Sequence, residues 1–288
     1  MKSKGSTKKA MRLLPLLLAA SLFLGSQGFT VFAETISENV EANPTYSEDS
    51  GSFNPQQEAL PDGNVSESNA RVGAGSPANP IHHCNTEDGT QDTTTWSYVY
   101  FGSYPQSEVT DEATRQAIDS AISQGKGQSA GTAESSEGTD VWVNETKYRR
   151  ISKNDTNYSG YFDDVLNNGY RYFKWERIKW KVLQNDGSTL FVVADKAVDC
   201  KYYNEENKST TWETSTIRNW LNNSFYNMAF SSSEQNAIVT QNVVNEDNPY
   251  YDTEGGDNTS DNIYLLSINE VTNEIYGFCS DYSTYSAS

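Results

Sequence analysis

A short acidic loop late in the chain carries oxygen ligands of the kind that bind a cation. The candidate ligands are four carboxylates: Asp252, Glu254, Asp257 and Asp261. Calcium takes six to eight hard oxygens from flexible loops, and Gly255 and Gly256 would let the chain bend around an ion. The spacing is not that of an EF-hand, and the same side chains could instead form turn hydrogen bonds. The sequence thus offers calcium as a cofactor, with turn formation as the alternative.

Three further residues have the chemistry of a sugar site: Trp212, Arg218 and Asn222. The face of an indole packs on a sugar ring, and Arg and Asn donate hydrogen bonds to hydroxyl groups. Trp220 lies nearby in the sequence, but it shares an apolar helix face with Ile217 and Leu221, which indicates packing. We predict ligand contacts for Trp212, Arg218 and Asn222, with a structural role as the alternative.

Catalytic chemistry finds little support in the sequence. His82 and His83 are the only histidines, and with Cys84 they lie in a polar segment that lacks a partner at zinc-ligand spacing. No nucleophile elbow, phosphate-binding glycine loop or zinc motif is present. Carboxylates are so frequent that selecting a catalytic pair would be arbitrary. We therefore predict no catalytic residues.

The three cysteines do not form a disulfide framework by their number or spacing. They are Cys84, Cys200 and Cys279. An odd number in an exported chain implies a free thiol or a bridge to another chain, and disulfide scaffolds carry more cysteines at closer spacing. No disulfide is predicted to stabilise the fold.

The first 33 residues have the layout of a secretory signal peptide. A basic start is followed by an apolar run over residues 13–24 and by Val31-Phe32-Ala33, which predicts cleavage between Ala33 and Glu34. The apolar run is shorter than the roughly 20 residues that a membrane-spanning helix needs. We predict export to a secreted or cell-surface location, with an uncleaved anchor as the alternative and no membrane span elsewhere.

The charge of the chain restricts its partners. The formal net charge is −18, and it becomes −23 without the signal peptide because that segment holds five basic and no acidic residues. Nucleic acids and anionic membrane surfaces would be repelled. Cations, neutral glycans and basic proteins remain as ligands, and the sequence does not indicate an oligomeric state.

Two regions follow the signal peptide. Residues 34–95 are polar and poor in aromatic side chains, which predicts a disordered acidic spacer. From Trp96 the composition changes to aromatic and β-branched residues, which predicts one domain over residues 96–288. Strands are expected at 96–101, ending at Gly102, and at 141–143, 148–151, 170–175, 178–183, 189–194, 238–244 and 262–266. The strands 141–143 and 148–151 are expected to form one hairpin, and the turn Asn185-Asp186-Gly187 is expected to form a second with 178–183 and 189–194. Trp180, Phe191, Trp220 and Leu265 are expected to share one interior. Helices are expected at 111–124, from Thr214 or Ser215, and after the capping boxes Ser231/Glu234 and Ser267/Glu270.

This mixture of strands and helices lacks regular β-α alternation, so the expected class is α+β with a mixed antiparallel sheet and a few short helices. An ordered set of local sequences resembles one family: FGSYPQ at 101–106, IKWKVL at 178–183, WETS at 212–215, IRNWLN at 217–222, YLLS at 264–267 and YGF at 276–278. Together they resemble the domain-of-unknown-function family 6273, found in exported proteins of Firmicutes. The resemblance implies a C-type-lectin-like fold, shared with formylglycine-generating enzymes.

One departure from the family concerns the late strands. Members usually continue after the YGF segment with a Trp-Trp-Leu-Arg type strand and a closing Val-Arg-Pro-Ala-Leu type strand, which this sequence lacks. The resemblance therefore implies a domain that is incomplete at its C-terminus. The leading hypothesis is a non-catalytic binding or adhesion module for a glycan or protein. The alternatives are an enzyme related to formylglycine generation, although Cys200 and Cys279 match no such motif, and a structural stalk domain without a ligand.

Overall fold

Antiparallel strands make up most of the folded chain. The computed structural model describes residues 16–18, 20–25, 35–39, 77–83, 93–131, 136–152, 155, 169–206, 208–248 and 253–278. The strands within these residues are, in chain order, β1 Leu16–Leu18, β2 Ala20–Gly25, β3 Thr35–Asn39, β4 Ile81–His83, β5 Thr93–Glu108, β6 Gln128–Gly131, β7 Ser136–Val143, β8 Thr146–Ser152, β9 Tyr170–Asn185, β10 Thr189–Ala194, β11 Asp199–Lys201, β12 Gln241–Val243, β13 Thr259–Asp261 and β14 Ile263–Leu265.

The helices are short. They are α1 Glu112–Ala121, α2 Thr216–Trp220, α3 Tyr226–Ala229, α4 Ser232–Gln235 and α5 Ile268–Val271. Two π-helical turns, Ile122–Lys126 and Leu221–Phe225, continue α1 and connect α2 to α3, and Glu274–Tyr276 is a 3₁₀ turn. A mixed antiparallel sheet with a few short helices confirms the predicted α+β class.

The main sheet is organised around β9. Its strand order is β14-β2-β10-β9-β8-β7-β6, and β5 pairs with β9 as well. Within the 16 residues of β9, residues 170–174 pair with β8 and residues 180–185 pair with β10, whereas β5 pairs with residues 173–181 along the opposite side of the strand. Two smaller sheets are formed by β1 with β11 and by β12 with β13.

Two predicted strand boundaries are wrong. The strand expected to stop at Gly102 continues to Glu108, because Gly102, with φ +70°, shifts the register within β5 and does not end the strand. The separate strands expected at 170–175 and 178–183 are one strand. The polar break between them is bridged, since Arg177 donates to the Tyr100 carbonyl of β5 and pairs with Glu234.

The two predicted hairpins are confirmed. β7 and β8 are joined by Asn144 and Glu145, which both have positive φ, as a tight two-residue connection requires. β9 and β10 are joined by a turn in which the Asp186 carboxylate accepts hydrogen bonds from the Ser188 and Thr189 amides. Those hydrogen bonds hold the pKa of Asp186 below its usual range.

The helix starts follow the predicted caps. Asp111 accepts from the Thr114 amide at 2.7 Å at the start of α1, and Ser215 caps α2. Both predicted capping boxes are present, Ser231 with Glu234 at α4 and Ser267 with Glu270 at α5. Each cap satisfies amides that have no partner within the helix.

The predicted aromatic interior is confirmed as well. Trp180 and Phe191 are fully buried in one large cluster, and Trp220 and Leu265 pack against it. The Trp180 indole donates to the Phe101 carbonyl at 2.7 Å, so its polar atom is satisfied inside the core. Burial of each such side chain stabilises the fold by roughly 1.5–3 kcal/mol. A second cluster lies under α1, around Ile118 and Tyr172.

Segments that precede Trp96 take part in the sheets. β3 and β4 pair with the start of β5, although both belong to the region predicted as a spacer. β2 lies between β10 and β14, and β1 pairs with β11, although both belong to the predicted signal peptide. Cleavage after Ala33 stays a prediction. In the described ranges, no helix is long and apolar enough to cross a membrane.

Candidate functional site

Two of the predicted sugar-site residues converge on Asp261. The Trp212 indole donates to Asp261 Oδ2 at 2.8 Å, and Arg218 Nε donates to Oδ1 at 2.7 Å. The Thr259 hydroxyl donates to Oδ2 as well, at 2.6 Å. Trp212 and Asp261 are both buried, so this group ties α2 to β13 in the interior.

The Asn222 side chain is bonded to the backbone of β14. Its Nδ2 donates to the Ile263 carbonyl at 2.9 Å, and its Oδ1 accepts from the amides of Asn262 and Ile263 at 2.7 and 3.2 Å. All three predicted sugar-site residues thus make hydrogen bonds within the fold, and their contact with a ligand stays a prediction.

The three described residues of the predicted calcium site lie in different environments. Asp261 is buried and bonded to three donors, whereas Glu254 and Asp257 are exposed. The loop is closed by other contacts, because the Gly255 amide donates to Asp247 and the Asn258 side chain accepts from the Asn245 amide. Asp252 lies outside the described residues. Within those residues, no three His, Cys, Asp or Glu side chains are placed to hold a metal ion.

The remaining candidates are dispersed. His82 lies on β4, and Cys200 is a free, half-buried thiol on β11. Cys84 and Cys279 lie outside the described residues. Of the two cysteines considered for formylglycine-type chemistry, the structure describes Cys200.

A buried group of charged side chains that the sequence did not reveal lies where the β7–β8 hairpin meets β11. We call it the charge cluster, and its members are Glu137, Asp140, Arg149, Asp199 and Lys201. Arg149 is at its centre and is 1% exposed. Its Nε and Nη2 donate to the two oxygens of Asp140 at 2.7 and 2.9 Å, in a bidentate pair.

Glu137 and Lys201 extend the charge cluster toward the core. Glu137 lies 3.7 Å from Arg149 and 3.8 Å from the Lys201 ammonium, which is also 3.8 Å from Asp199. Aromatic groups enclose these charges, since the Trp220 indole donates to Glu137 at 2.9 Å and the Tyr104 hydroxyl donates to Asp199.

The pKa values of Asp140 and Asp199 are shifted in opposite directions. Burial alone would raise the pKa of Asp140. The hydrogen bonds and charge of Arg149, followed by those of Lys147, outweigh the effect of burial, so the pKa of Asp140 is lowered. Burial raises the pKa of Asp199, and the nearby Lys201 and Tyr104 do not offset it. Asp140 is thus an anchored anion, whereas Asp199 resists ionisation.

Gly138 brings Glu137 into the charge cluster. Its φ of +103° interrupts the alternation of side chains along β7, and a β-bulge of this kind re-aims the residues beside it. A Cβ at this position would lie 2.5 Å from the Arg150 carbonyl oxygen. Only glycine therefore satisfies both the backbone angle and the close approach of β8.

At the rim of the charge cluster the hairpin exposes an indole. Trp142 is 51% exposed and lies opposite Lys147 in the strand register. The Lys147 ammonium is 3.1 Å from Asp140 and 3.4 Å from the centre of the Trp175 ring. Burial lowers the pKa of Lys147, against the raising effect of Asp140. We call Trp142, Lys147 and Asp140 the Trp142 platform.

The other face of the hairpin faces α1. A shallow groove of about 260 Å³ lies there, and it is lined by Thr114, Asn144, Thr146 and Tyr148 among others. Successive residues of a strand point to opposite faces, so the groove and the Trp142 platform lie on opposite sides of one hairpin.

Sequence reasoning missed the charge cluster because its members come from strands far apart in the chain. One signal was available: with the hairpin turn at Asn144-Glu145, Asp140 faces Arg149 and Trp142 faces Lys147 across the strands. Pairing opposite charges in that register would have located two of the five members of the charge cluster, Asp140 and Arg149, together with the Trp142 platform.

Together these features define an α+β domain whose buried polar residues join its elements and whose hairpin carries an exposed aromatic platform. Residues 186–287 match the model of a domain of unknown function, DUF6273. The match supports the family part of the resemblance over β10–β14 and α2–α5, whereas the FGSYPQ and IKWKVL segments precede it. No curated protein and no solved structure matches the chain.

Proposed function

We propose that this chain is a non-catalytic binding module of a secreted or cell-surface protein and that it binds a neutral glycan at the Trp142 platform. The observation that carries the proposal is the exposure of Trp142, 51%, at a paired position near the end of β7, beside the hairpin turn. Tryptophan is enriched among the residues that dominate binding energies. A rigid strand position loses little conformational entropy when a ligand binds.

The polar groups beside the indole suit the hydroxyl groups of a sugar. Lys147 can donate hydrogen bonds to hydroxyl groups, and it is held beside the indole by Asp140, whose oxygens are already bonded to Arg149, Trp175 and Lys147. Arg149 fixes Asp140 from below, and the Trp175 ring fixes the Lys147 ammonium. The flat ring of Trp142 is free to pack on the C–H face of a sugar while these groups bond its edge.

The charge of the protein favours an uncharged ligand. With a net charge of −18, the surface repels anionic polymers over distances up to the Debye length, about 8 Å at physiological salt. A neutral glycan meets no such barrier. The expected export, the resemblance to a family of exported proteins and its lectin-like implication agree with an extracellular glycan as ligand.

The two rival functions make different demands. An enzyme related to formylglycine generation would lose activity when Cys200 and Cys279 are alkylated, whereas glycan binding at the Trp142 platform would be insensitive to alkylation. A stalk domain would show no saturable ligand.

The test is a screen of neutral oligosaccharides with the wild-type protein and with Trp142→Ala. We expect affinity to fall about 5- to 150-fold in Trp142→Ala, because a stacking indole contributes about 1–3 kcal/mol of binding energy. We expect its melting temperature to stay near that of the wild type, since half of the side chain already faces solvent.

The matched control is Ile275→Ala, which removes another exposed apolar side chain, 69% exposed, from the Glu274–Tyr276 turn. Its glycan affinity should equal that of the wild type. A screen without any bound neutral glycan would refute the proposal, and so would a glycan that binds Trp142→Ala as tightly as the wild type.

A further inference from the structure

The Trp142 platform offers a ligand more hydrogen-bond donors than acceptors. In the β7–β8 ladder, Trp142 lies opposite Lys147 and Asp140 lies opposite Arg149. Opposed residues of an antiparallel pair, and alternate residues along one strand, have their side chains on the same face of the sheet. The polar atoms beside the indole therefore belong to a small set of residues whose donors and acceptors can be followed one by one.

The acceptor sites of Asp140 are all in use. Its Oδ1 accepts from Arg149 Nε at 2.7 Å and from the Trp175 indole at 3.1 Å. Its Oδ2 accepts from Arg149 Nη2 at 2.9 Å and lies 3.1 Å from the Lys147 ammonium. A carboxylate has about four lone-pair sites, so these four donors fill them. A hydroxyl group of a ligand therefore gains no acceptor from Asp140.

Lys147 supplies a charged donor beside the indole. Its ammonium carries three N–H groups, and it contacts Asp140 at 3.1 Å and the centre of the Trp175 ring at 3.4 Å. These two partners leave one N–H for a ligand, on a side chain that is 26% exposed. Hydrogen bonds from a charged donor are roughly twice as strong as those between neutral groups. The platform therefore favours a ligand with a strong neutral acceptor next to its stacked ring.

A side-chain amide lies on the other side of β7. Gln128 of β6 is exposed and lies opposite Asp140 in the β6–β7 register, so its side chain is on the same face as the Trp142 indole. An amide side chain both donates and accepts hydrogen bonds. Gln128 and Lys147 thus lie on the two strands that border β7, with the indole of Trp142 on the strand between them.

We propose that the Trp142 platform selects sugars that carry an acetamido group, the N-acetylhexosamines, an inference that rests on the glycan-binding function proposed above. The acetamido carbonyl accepts from Lys147, its N–H donates to the Gln128 amide oxygen, and its methyl group packs at the edge of the Trp142 indole. A hydroxyl group at the same position lacks the methyl group and has one atom for both hydrogen bonds. A site built around such hydrogen bonds discriminates against the analogue that lacks them.

The test compares two neutral trisaccharides of the same linkage, triacetylchitotriose and cellotriose, which differ in the acetamido groups alone. Calorimetry with the full chain should show that triacetylchitotriose binds about tenfold more tightly or better, because its carbonyl meets a charged donor. Lys147→Met should bring the two affinities to within about threefold of each other. Lys147→Arg, which keeps a charged donor, should keep most of the preference.

The matched control is Lys174→Met. Lys174 is a lysine of similar exposure, 39%, and it lies opposite Tyr148, so its side chain is on the other face of the sheet from the platform. This variant should keep the wild-type ratio of the two affinities. Gln128→Leu, at an exposed position, should lower the ratio about threefold at an unchanged melting temperature, and it gives the readout if Lys147→Met does not fold.

The selection of acetamido sugars can fail while glycan binding stands. Equal or tighter binding of cellotriose would overturn the inference, and so would a preference for triacetylchitotriose that persists unchanged in both Lys147→Met and Gln128→Leu. Ligands from the oligosaccharide screen that require Trp142 but lack acetamido groups would overturn it as well, and they would support the proposed function. The absence of any bound neutral glycan would instead refute the proposed function, and the inference with it.

Discussion

Asn222 acts on β14 as a neighbouring strand would. Its amide donates to the Ile263 carbonyl and accepts from the Ile263 and Asn262 amides, so one side chain satisfies backbone groups that a ladder would otherwise satisfy. The same donors and acceptors that made Asn222 a candidate for sugar hydroxyls are used by the backbone.

Replacing Asn222 by alanine should therefore destabilise the fold. We expect Asn222→Ala to lower the free energy of unfolding by about 1–3 kcal/mol, because half-buried backbone groups lose their partners. Urea denaturation measures the change. The control is Asn223→Ala, whose exposed side chain bonds only to Asn219 one turn earlier and whose loss should cost about 0.5 kcal/mol or less. Equal losses in the two variants would contradict the role assigned to Asn222.

The charge cluster gives a pH dependence of known sign. The pKa of Asp140 is lowered in the folded protein, so its contribution to stability is complete above the ordinary aspartate pKa, about 3.9, and is lost as the pH falls through the folded value. We therefore expect the stability difference between wild type and Asp140→Asn to shrink as the pH falls below about 4. Urea midpoints measured between pH 7 and pH 2 give this difference.

Asp199→Asn is the control with the opposite slope. Burial raises the pKa of Asp199, so its ionisation costs stability as the pH rises through the raised value. The stability difference between wild type and Asp199→Asn should therefore grow as the pH falls. If both differences changed with pH in the same direction, the electrostatic description of the cluster would be wrong.

At the scale of elements, the β7–β8 hairpin carries most of the features that distinguish this domain. Its turn sets the register that opposes Asp140 to Arg149, and Gly138 turns Glu137 toward the same charges. One face packs under α1 and the other presents Trp142. The hairpin thus connects the buried charges to the exposed platform.

Gly138→Ala should break this arrangement. We expect a loss of about 3 kcal/mol, because a side chain is strained at φ +103° and its Cβ would lie 2.5 Å from the Arg150 carbonyl oxygen. Gly187→Ala is the matched control, since Gly187 has φ +89° but no atom within 4 Å of the Cβ position, and it should lose only about 1 kcal/mol. Equal unfolding free energies for the two variants, measured by chemical denaturation, would contradict the packing argument.

The elements that the sequence predicted correctly depend on residues close together in the chain. The capping boxes at Ser231 and Ser267 and the two hairpin turns are of this kind. The continuation of β5 through Gly102 was not predictable, because it depends on pairing with β9 some 75 residues later. Asp261 was predicted as a calcium ligand from its acidic loop, and its bonds to Trp212 and Arg218 were not predictable, because those residues lie 49 and 43 positions away in the chain.

At the scale of the whole molecule, buried polar side chains join distant elements in the interior, and a few polar groups lie beside the exposed Trp142 indole. Two buried groups, the charge cluster and the contacts around Asp261, hold distant segments together. The Trp142 platform is the surface proposed for recognition, on a molecule whose net charge of −18 disfavours anionic ligands.

The most direct test of the binding function is the fluorescence of Trp142 itself. The difference between the emission spectra of wild type and Trp142→Phe isolates this exposed indole, which should emit at long wavelength. Titration with the neutral oligosaccharide selected by the screen should shift that difference spectrum saturably to shorter wavelength as the ring leaves water. An unchanged difference spectrum, while the oligosaccharide binds with undiminished affinity, would contradict the assignment of the Trp142 platform as the binding surface.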